Sequence, residues 1–314
     1  MAYRSAFFYI AVFLFALCFV GNKGVKGDSY MISPEQLKYA TSDESDFQRM
    51  PKPKPGDWLF EFHEPGQSFK DYVNGQPVQI TGQRKVMVFQ PVGEFSEVER
   101  ELVEKAVTFA GIWFDIATRI ENELSLPEKG WQRIRQFSRQ DKPITQYRTD
   151  YFLNLLLPSR LPDDAVCYLA VTNGDLYPEE SWNFVFGQAT FSHRVGVYSI
   201  IRYFPKFWGE KESGSSQVIT LRRICKVLTH EAGHMLGLGH CIDYLCNMNG
   251  SNSLEESDRR PLRLCPLCLK KLQWNRKFDV IEQYEKLYTF FKDNGFKEEE
   301  TWTADRLKKI KTTQ

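Results

Sequence analysis

The sequence predicts an α/β (α+β) fold: a mixed, mostly parallel sheet with one long helix packed on it and carrying the chemistry. Three observations predict it. Strand-like runs alternate with helical periodicities from Lys85 onward, which is the pattern of helices laid on a sheet. Ala165 to Thr172 is an almost unbroken apolar run, as expected of a strand covered on both faces. Ile219 to Leu236 carries Leu221, Ile224, Val227 and Leu228 at intervals of three and four, and it runs directly into a cluster of histidines. A formal net charge of +1 over 314 residues gives no electrostatic preference for nucleic acid, and 42% hydrophobic residues describe a globular chain.

The elements follow in chain order. Arg4 precedes an apolar run from Ala6 to Val20, short for a membrane helix but suited to the core of a signal peptide. Residues 1–21 are therefore expected to be a signal peptide or membrane anchor. Export, with membrane association through this segment, is the expected fate, and an intracellular chain is the alternative. Residues 22–84 read as an N-terminal extension stiffened by Pro51-Lys-Pro-Lys-Pro-Gly56, in which alternating Trp58, Phe60 and Phe62 suggest a short strand or a clamp on the core. Residues 85–294 form the expected catalytic domain. In it, Lys85 to Val92 reads as a strand, Phe95 to Ile120 as a long amphipathic helix, Ile134 to Phe137 as a strand, and Asp150 to Leu157 as a helix ended by Pro158. Trp182 to Ser192 is expected as an edge strand and Val195 to Arg202 as the next. Val280 to Lys292 is a helix with Asp279 as N-cap and Gly295 as its stop. The charged tail, 295–314, is expected to fray.

The chemistry is concentrated between His230 and Cys268. His230 and His234 stand four apart on a helix, so one turn stacks both imidazoles on one face. Glu231 follows the first histidine, where a carboxylate reaches a metal-activated water and not the metal, the position of a general base. Gly237 permits the sharp turn that swings His240 back to the same ion. Three imidazoles leave the fourth position of a tetrahedral Zn²⁺ open, which is the catalytic pattern. Zinc lowers the pKa of water from about 16 to about 7, so the implied reaction is hydrolysis of an amide. Cys241 and Cys246, then Cys265 and Cys268, have the spacing of a closed Cys₄ zinc site in a C-terminal subdomain, with two disulfides as the competing reading. A C-x-x-C disulfide closes a tight, strained ring, which favours zinc. Cys167 and Cys225, in apolar surroundings, are expected to be buried free thiols.

H-E-x-x-H-x-x-G-x-x-H followed by C-x₄-C-x-M and C-x-x-C resembles the archaemetzincin family of the metzincin clan of zinc peptidases, over about Lys85 to Leu272. The resemblance implies a metzincin-like mixed sheet with an active-site helix. It implies two zinc ions per chain: one catalytic, on His230, His234 and His240 with Glu231 as base, and one structural, on Cys241, Cys246, Cys265 and Cys268. It also implies a Met-turn at Met248. In such enzymes a peptide lies along the cleft-side edge strand, which makes Asn183, Phe184, Val185, Phe186, Gly187, Gln188 and Ala189 the candidates for binding substrate. Several metzincins place a tyrosine two residues after the Met-turn methionine, and here that position is Gly250. The expectation is a monomeric zinc metallopeptidase acting on peptides or proteins, with endo- and aminopeptidase action both open. The rival is a non-catalytic zinc-binding interaction module, against which Glu231 argues, since a purely structural site needs no base.

Overall fold

The computed structural model describes residues 32–137, 142–191, 193–211 and 213–314. The expected signal peptide or anchor, residues 1–21, lies outside the described residues. Among those described, no helix is long and apolar enough to cross a membrane.

The described residues open with three short helices, α1 (Pro34–Ser42), α2 (Trp58–Glu61) and α3 (Phe69–Asn74). The sheet region follows: β1 (Val86–Val92), α4 (Glu97–Phe114), β2 (Ala117–Ile120), β3 (Gln132–Arg135), β4 (Ile144–Arg148), β5 (Ala165–Thr172), β6 (Asp175–Tyr177), β7 (Gly187–Ala189) and β8 (Val195–Ser199). Helices then take over: α5 (Gly214–Met235), α6 (Leu254–Asp258), α7 (Pro266–Arg276), α8 (Val280–Asp293) and α9 (Lys297–Thr312). Five strands form a mixed sheet in the order β2-β1-β5-β8-β7, parallel except for β7, which runs antiparallel to β8 at one edge. A smaller sheet joins β3, β4 and β6.

Alternation along the strands divides the core. Met87 and Phe89 of β1 and Cys167, Leu169 and Val171 of β5 face α4 and α5. Val88, Tyr168 and Ala170 face Phe152, Leu153 and Leu156 of a short helical segment on the other side. Both faces of β5 are therefore covered and every residue in it is buried, as its unbroken apolar run requires.

Several boundaries differ from expectation. The helix expected to reach Ile120 stops at Phe114, because Asp115 takes a left-handed conformation (φ +49°) and Ala117–Ile120 joins the sheet beside β1. The edge strand expected over Trp182 to Ser192 is ladder-paired only at Gly187–Ala189, and the strand after it stops at Ser199. Trp58–Glu61 is a helical turn and not a strand. Strands β4 and β6 were not expected from the sequence pattern.

Residues 32–84 belong to the same compact unit as the rest of the described chain, Ile32 to Gln314. One expectation, about the tail, is corrected. The tail 295–314 does not fray. Thr303, Arg306, Leu307 and Ile310 make a buried stripe on α9, and the Arg306 guanidinium donates to the carboxylates of Asp43 (2.8 Å) and Asp46 (2.9 Å). The abundance of charge concealed a stripe at helical spacing.

Candidate metal centres and active-site cleft

Helix α5 starts at Ser213, whose side chain accepts from the Ser216 amide, and buries Leu221, Ile224, Cys225, Leu228, Ala232 and Met235 against the sheet. That burial fixes which face carries the histidines. The helix ends at Leu236, and Gly237 follows at φ +84°, a conformation that glycine takes without steric cost. A side chain there would also strike Pro77, 2.6 Å from the nearest carbon. The turn brings His240 back, with ring centroids 4.5 Å (His230–His234), 4.9 Å (His234–His240) and 5.3 Å (His230–His240) apart.

The hydrogen bonds around the rings test whether a metal belongs there. His230 Nδ1 faces the Asn247 carbonyl at 2.9 Å, and His234 Nδ1 faces the Leu238 carbonyl at 2.7 Å. A carbonyl only accepts, so both Nδ1 atoms carry the hydrogen and both Nε2 atoms present lone pairs. Those two nitrogens lie 3.0 Å apart. Two lone pairs facing each other at that distance fit a shared cation, and the three histidines offer nitrogens within 4.8 Å of one another. Burial holds the His230 imidazole down at about 3 and that of His234 well below its usual range, which keeps both neutral as ligands.

Glu231 is buried beside them, and burial pushes its carboxyl up to about 8. It lies directly under β7. A Cβ added to Gly187 would stand 2.7 Å from its Cδ and Oε1, so the absence of a side chain at Gly187 makes room for the carboxylate.

The four cysteines form a second, closed cluster. All are unbonded and buried, with Sγ atoms within 4.8 Å of one another and Cys241 Sγ 3.6 Å from Cys265 Sγ. Cys265 caps α7, accepting from the Cys268 amide at 3.5 Å, and Cys246 Sγ accepts from the Cys265 amide at 3.3 Å. Thiol neighbours, Cys246 first, pull Cys241 far below the usual thiol range. Four converging sulfurs, two of which accept from backbone amides, suit thiolates on zinc and not two disulfides. Cys167 and Cys225 are buried free thiols, as expected.

Met248 is fully buried beneath α5, where a Cβ on Gly233 would stand 2.7 Å from its sulfur, and its carbonyl accepts from the Cys241 amide. Gly250 has no room for the tyrosine some metzincins carry. The Trp58 indole lies over it, 2.5 Å from where a Cβ would be.

A cleft of about 930 Å³ opens between α5, β7 and the segment after Met248, within the size range of ligand sites. All seven residues from Asn183 to Ala189 line it. They are not equivalent. Gly187, Gln188 and Ala189 form the strand edge, whereas Phe184 lies against the Arg202 guanidinium at 3.6 Å and Phe186 stacks on Tyr203. Arg202 is in turn paired with Asp175 in a fully buried ion pair, both contacts at 2.7 Å, which ties this rim to the sheet.

Sequence reasoning missed several supporting residues. Asn249 receives the Cys246 amide (2.7 Å) and donates to the carbonyls of Cys241 and Tyr244, closing the loop between the clusters. Asn247 orients His230 through its carbonyl. Glu64, from far upstream, faces His240 Nδ1 with both carboxylate oxygens, at 2.8 and 3.0 Å. The spacing of the sequence carried no signal for any of these three.

Comparison with known proteins gives the family. Residues 145–274 match the model of peptidase family M54. The chain is 33% identical over 268 residues to Archaemetzincin-2 of Rattus norvegicus, covering 76% of this chain and 73% of that protein. It is 33% identical over 265 residues to Archaemetzincin-1 of Homo sapiens, covering 74% and 52% respectively. The crystal structure of archaemetzincin from Methanopyrus kandleri aligns with a TM-score of 0.48 at 28% identity, over 63% of this chain and 99% of that one. With a histidine cluster in an open cleft, a buried cysteine cluster beside it and a relative this similar over three quarters of its length, the chain belongs to the archaemetzincin family of zinc metallopeptidases.

Proposed function

We propose that this peptidase holds two zinc ions, one on His230, His234 and His240 and one on the four cysteines, and that Glu231 carries the proton in peptide-bond hydrolysis. The observation that carries this reading is the place of Glu231: a buried carboxylate between the histidine cluster and the backbone of an edge strand. Zinc bound at the histidines would polarise a substrate carbonyl and acidify water.

The protein's own residues do the rest. The free edge at Gly187–Ala189 pairs with the main chain of an extended peptide, which selects for a backbone and little for its side chains. Gly187 lets that backbone approach the carboxylate. Glu231 takes the proton from the attacking water and returns it to the leaving amine, the work of a carboxylate held within reach of a metal-activated water. The fixed carbonyls of Asn247 and Leu238 keep the two helix imidazoles in one tautomer throughout. Export through residues 1–21 is part of the proposal, and the mature N-terminus read by mass spectrometry tests it.

The test of the chemistry counts zinc per chain and compares hydrolysis of a broad peptide library by wild type and Glu231→Gln. Two zincs in both proteins, with turnover reduced about 10²- to 10⁴-fold in the variant, is expected. Equal turnover would remove Glu231 from its role. A wild type with two zincs and no turnover on any peptide would leave the non-catalytic zinc module.

A further inference from the structure

His240 differs from the other two histidines in what stands behind it. His230 and His234 lie on α5, and each turns Nδ1 to a main-chain carbonyl. His240 lies in the turn after the helix, and its Nδ1 meets the carboxylate of Glu64. Glu64 lies outside the stretch matched by the family model, 145–274, and outside the catalytic domain expected from the sequence.

Glu64 is itself held. Trp58 Nε1 donates to its Oε1 at 3.0 Å, and the Trp58 ring stands edge-on to His240, centroids 5.2 Å apart at 82°. The Trp58 amide donates to both oxygens of Glu256, 3.1 Å each, and Glu256 is buried and also accepts from the Asn252 amide and from Arg260, both at 2.8 Å. The indole fills the space over Gly250. A few residues on, the Gln67 side chain spans the ligand turn, donating to the Gly237 carbonyl at 2.9 Å and accepting from the Gly239 amide at 3.0 Å, while Lys271 donates back to Gln67. Residues 58–67 thus form a strap, fixed at Glu256 and Lys271, that grips the turn bearing His240.

We infer that Glu64 is a positioning residue of the histidine centre, held by Trp58 and acting through His240. A carboxylate on Nδ1–H fixes the tautomer that leaves Nε2 free, locks the ring plane, and makes the imidazole a stronger donor than a carbonyl partner does. Glu64 does not ligate the metal, since it meets the far nitrogen of the ring. The inference rests on the reading that the histidines hold zinc.

The full chain tests it with Zn²⁺ and Co²⁺ as probes. Glu64→Gln removes the charge at constant shape, and Trp58→Phe keeps a ring but removes the donor that holds Glu64. Ser68→Ala serves as the structural control: it loses the cap of α3 beside the strap without touching His240. Chelator competition should show the histidine-site zinc weakened about 10- to 100-fold in Glu64→Gln, less in Trp58→Phe, with the cysteine-site zinc unchanged. With zinc at the cysteines and cobalt at the histidines, the visible absorption of Glu64→Gln should shift, and Glu64→Asp should recover part of the wild-type spectrum. Ser68→Ala should lower Tm and leave affinity and spectrum alone. Wild-type affinity and spectrum in Glu64→Gln would overturn the inference alone, as would a Ser68→Ala change equal to that of Glu64→Gln. A wild type that takes metal only at the cysteines would overturn the underlying reading and this inference with it.

Discussion

The two clusters stand side by side in sequence, His240 next to Cys241, yet they occupy opposite environments. The cysteines are at most 4% exposed, and backbone amides of their own loop feed hydrogen bonds to their sulfurs. The histidines are half-buried and line an open cleft with Glu231 among them. A ligand set with no path for a substrate can only stabilise, whereas one with an open side can react. The support is also asymmetric. The cysteine loop supplies the Asn247 carbonyl that orients His230, whereas His240 is steadied by the strap at residues 58–67. The closed centre therefore acts as scaffold for the open one, and dependence should run mainly in one direction.

The largest effect should come from breaking the closed side. Cys265→Ser removes a sulfur that caps α7 and is one of four converging groups. Structural zinc contributes on the order of 10 kcal/mol to folding in small zinc modules. The variant should show much lower folded yield, lose the cysteine-site zinc, and bind the histidine-site zinc more weakly because Asn247 is no longer held. His240→Ala should lose one zinc and keep the fold, with Tm and circular dichroism close to those of wild-type protein stripped at the histidine site alone. If Cys265→Ser kept histidine-site affinity at the wild-type value, the one-way dependence would be wrong.

Next in size is an intervention on the open side that touches no ligand. In Gly187→Ala the added carbon would stand 2.7 Å from the Glu231 carboxylate, so either the strand or the carboxylate must move. Overpacking of this kind costs about 1–3 kcal/mol. Both zincs should remain, Tm should fall by a few degrees, and kcat should drop at least about tenfold, since small displacements of a catalytic group are costly. Unchanged kcat would mean that Glu231 has slack in the cleft and that close approach at Gly187 is not used.

Legibility in the sequence followed the same division. The clustering of His230, His234 and His240, and of the four cysteines, was readable because their spacings place such side chains together on a helix and across tight turns, and Gly237 because the turn before His240 demands positive φ. The buried strand at Ala165–Thr172 was readable because covering both faces removes all alternation. Glu64, Asn247 and Asn249 were not readable, because they act through hydrogen bonds that exist only once the chain has folded, and no spacing rule marks such positions. The Phe114 helix end was missed for a local reason. Ile116 to Ile120 continues the apolar rhythm of α4, and only the left-handed Asp115 breaks it.

The finest distinction is electrostatic and can be read in protein stripped at the histidine site. The imidazoles of His230 and His234 are depressed, so from about pH 3 to their usual 6.5 the folded state binds fewer protons than the unfolded chain, and stability rises with pH. Glu231 works the other way. Its carboxyl is raised from 4.5 to about 8, so the folded state holds a proton that the unfolded chain releases, and stability falls as pH rises through that window. Between 4.5 and 6.5 the two trends oppose each other; above 6.5 the histidine trend ends, and the rise contributed by buried Lys226, pushed down to about 7, is common to wild type and a Glu231 variant. In Glu231→Gln that group no longer titrates while the histidines stay. The difference in Tm between stripped wild type and variant should therefore widen from pH 6.5 to 8 in favour of the variant, by a few degrees, and close again once zinc is restored and the carboxylate faces a cation. A difference that stays flat with pH would show that Glu231 is already ionised in the metal-free fold, and that the cleft is wetter at this carboxylate than its burial under β7 implies.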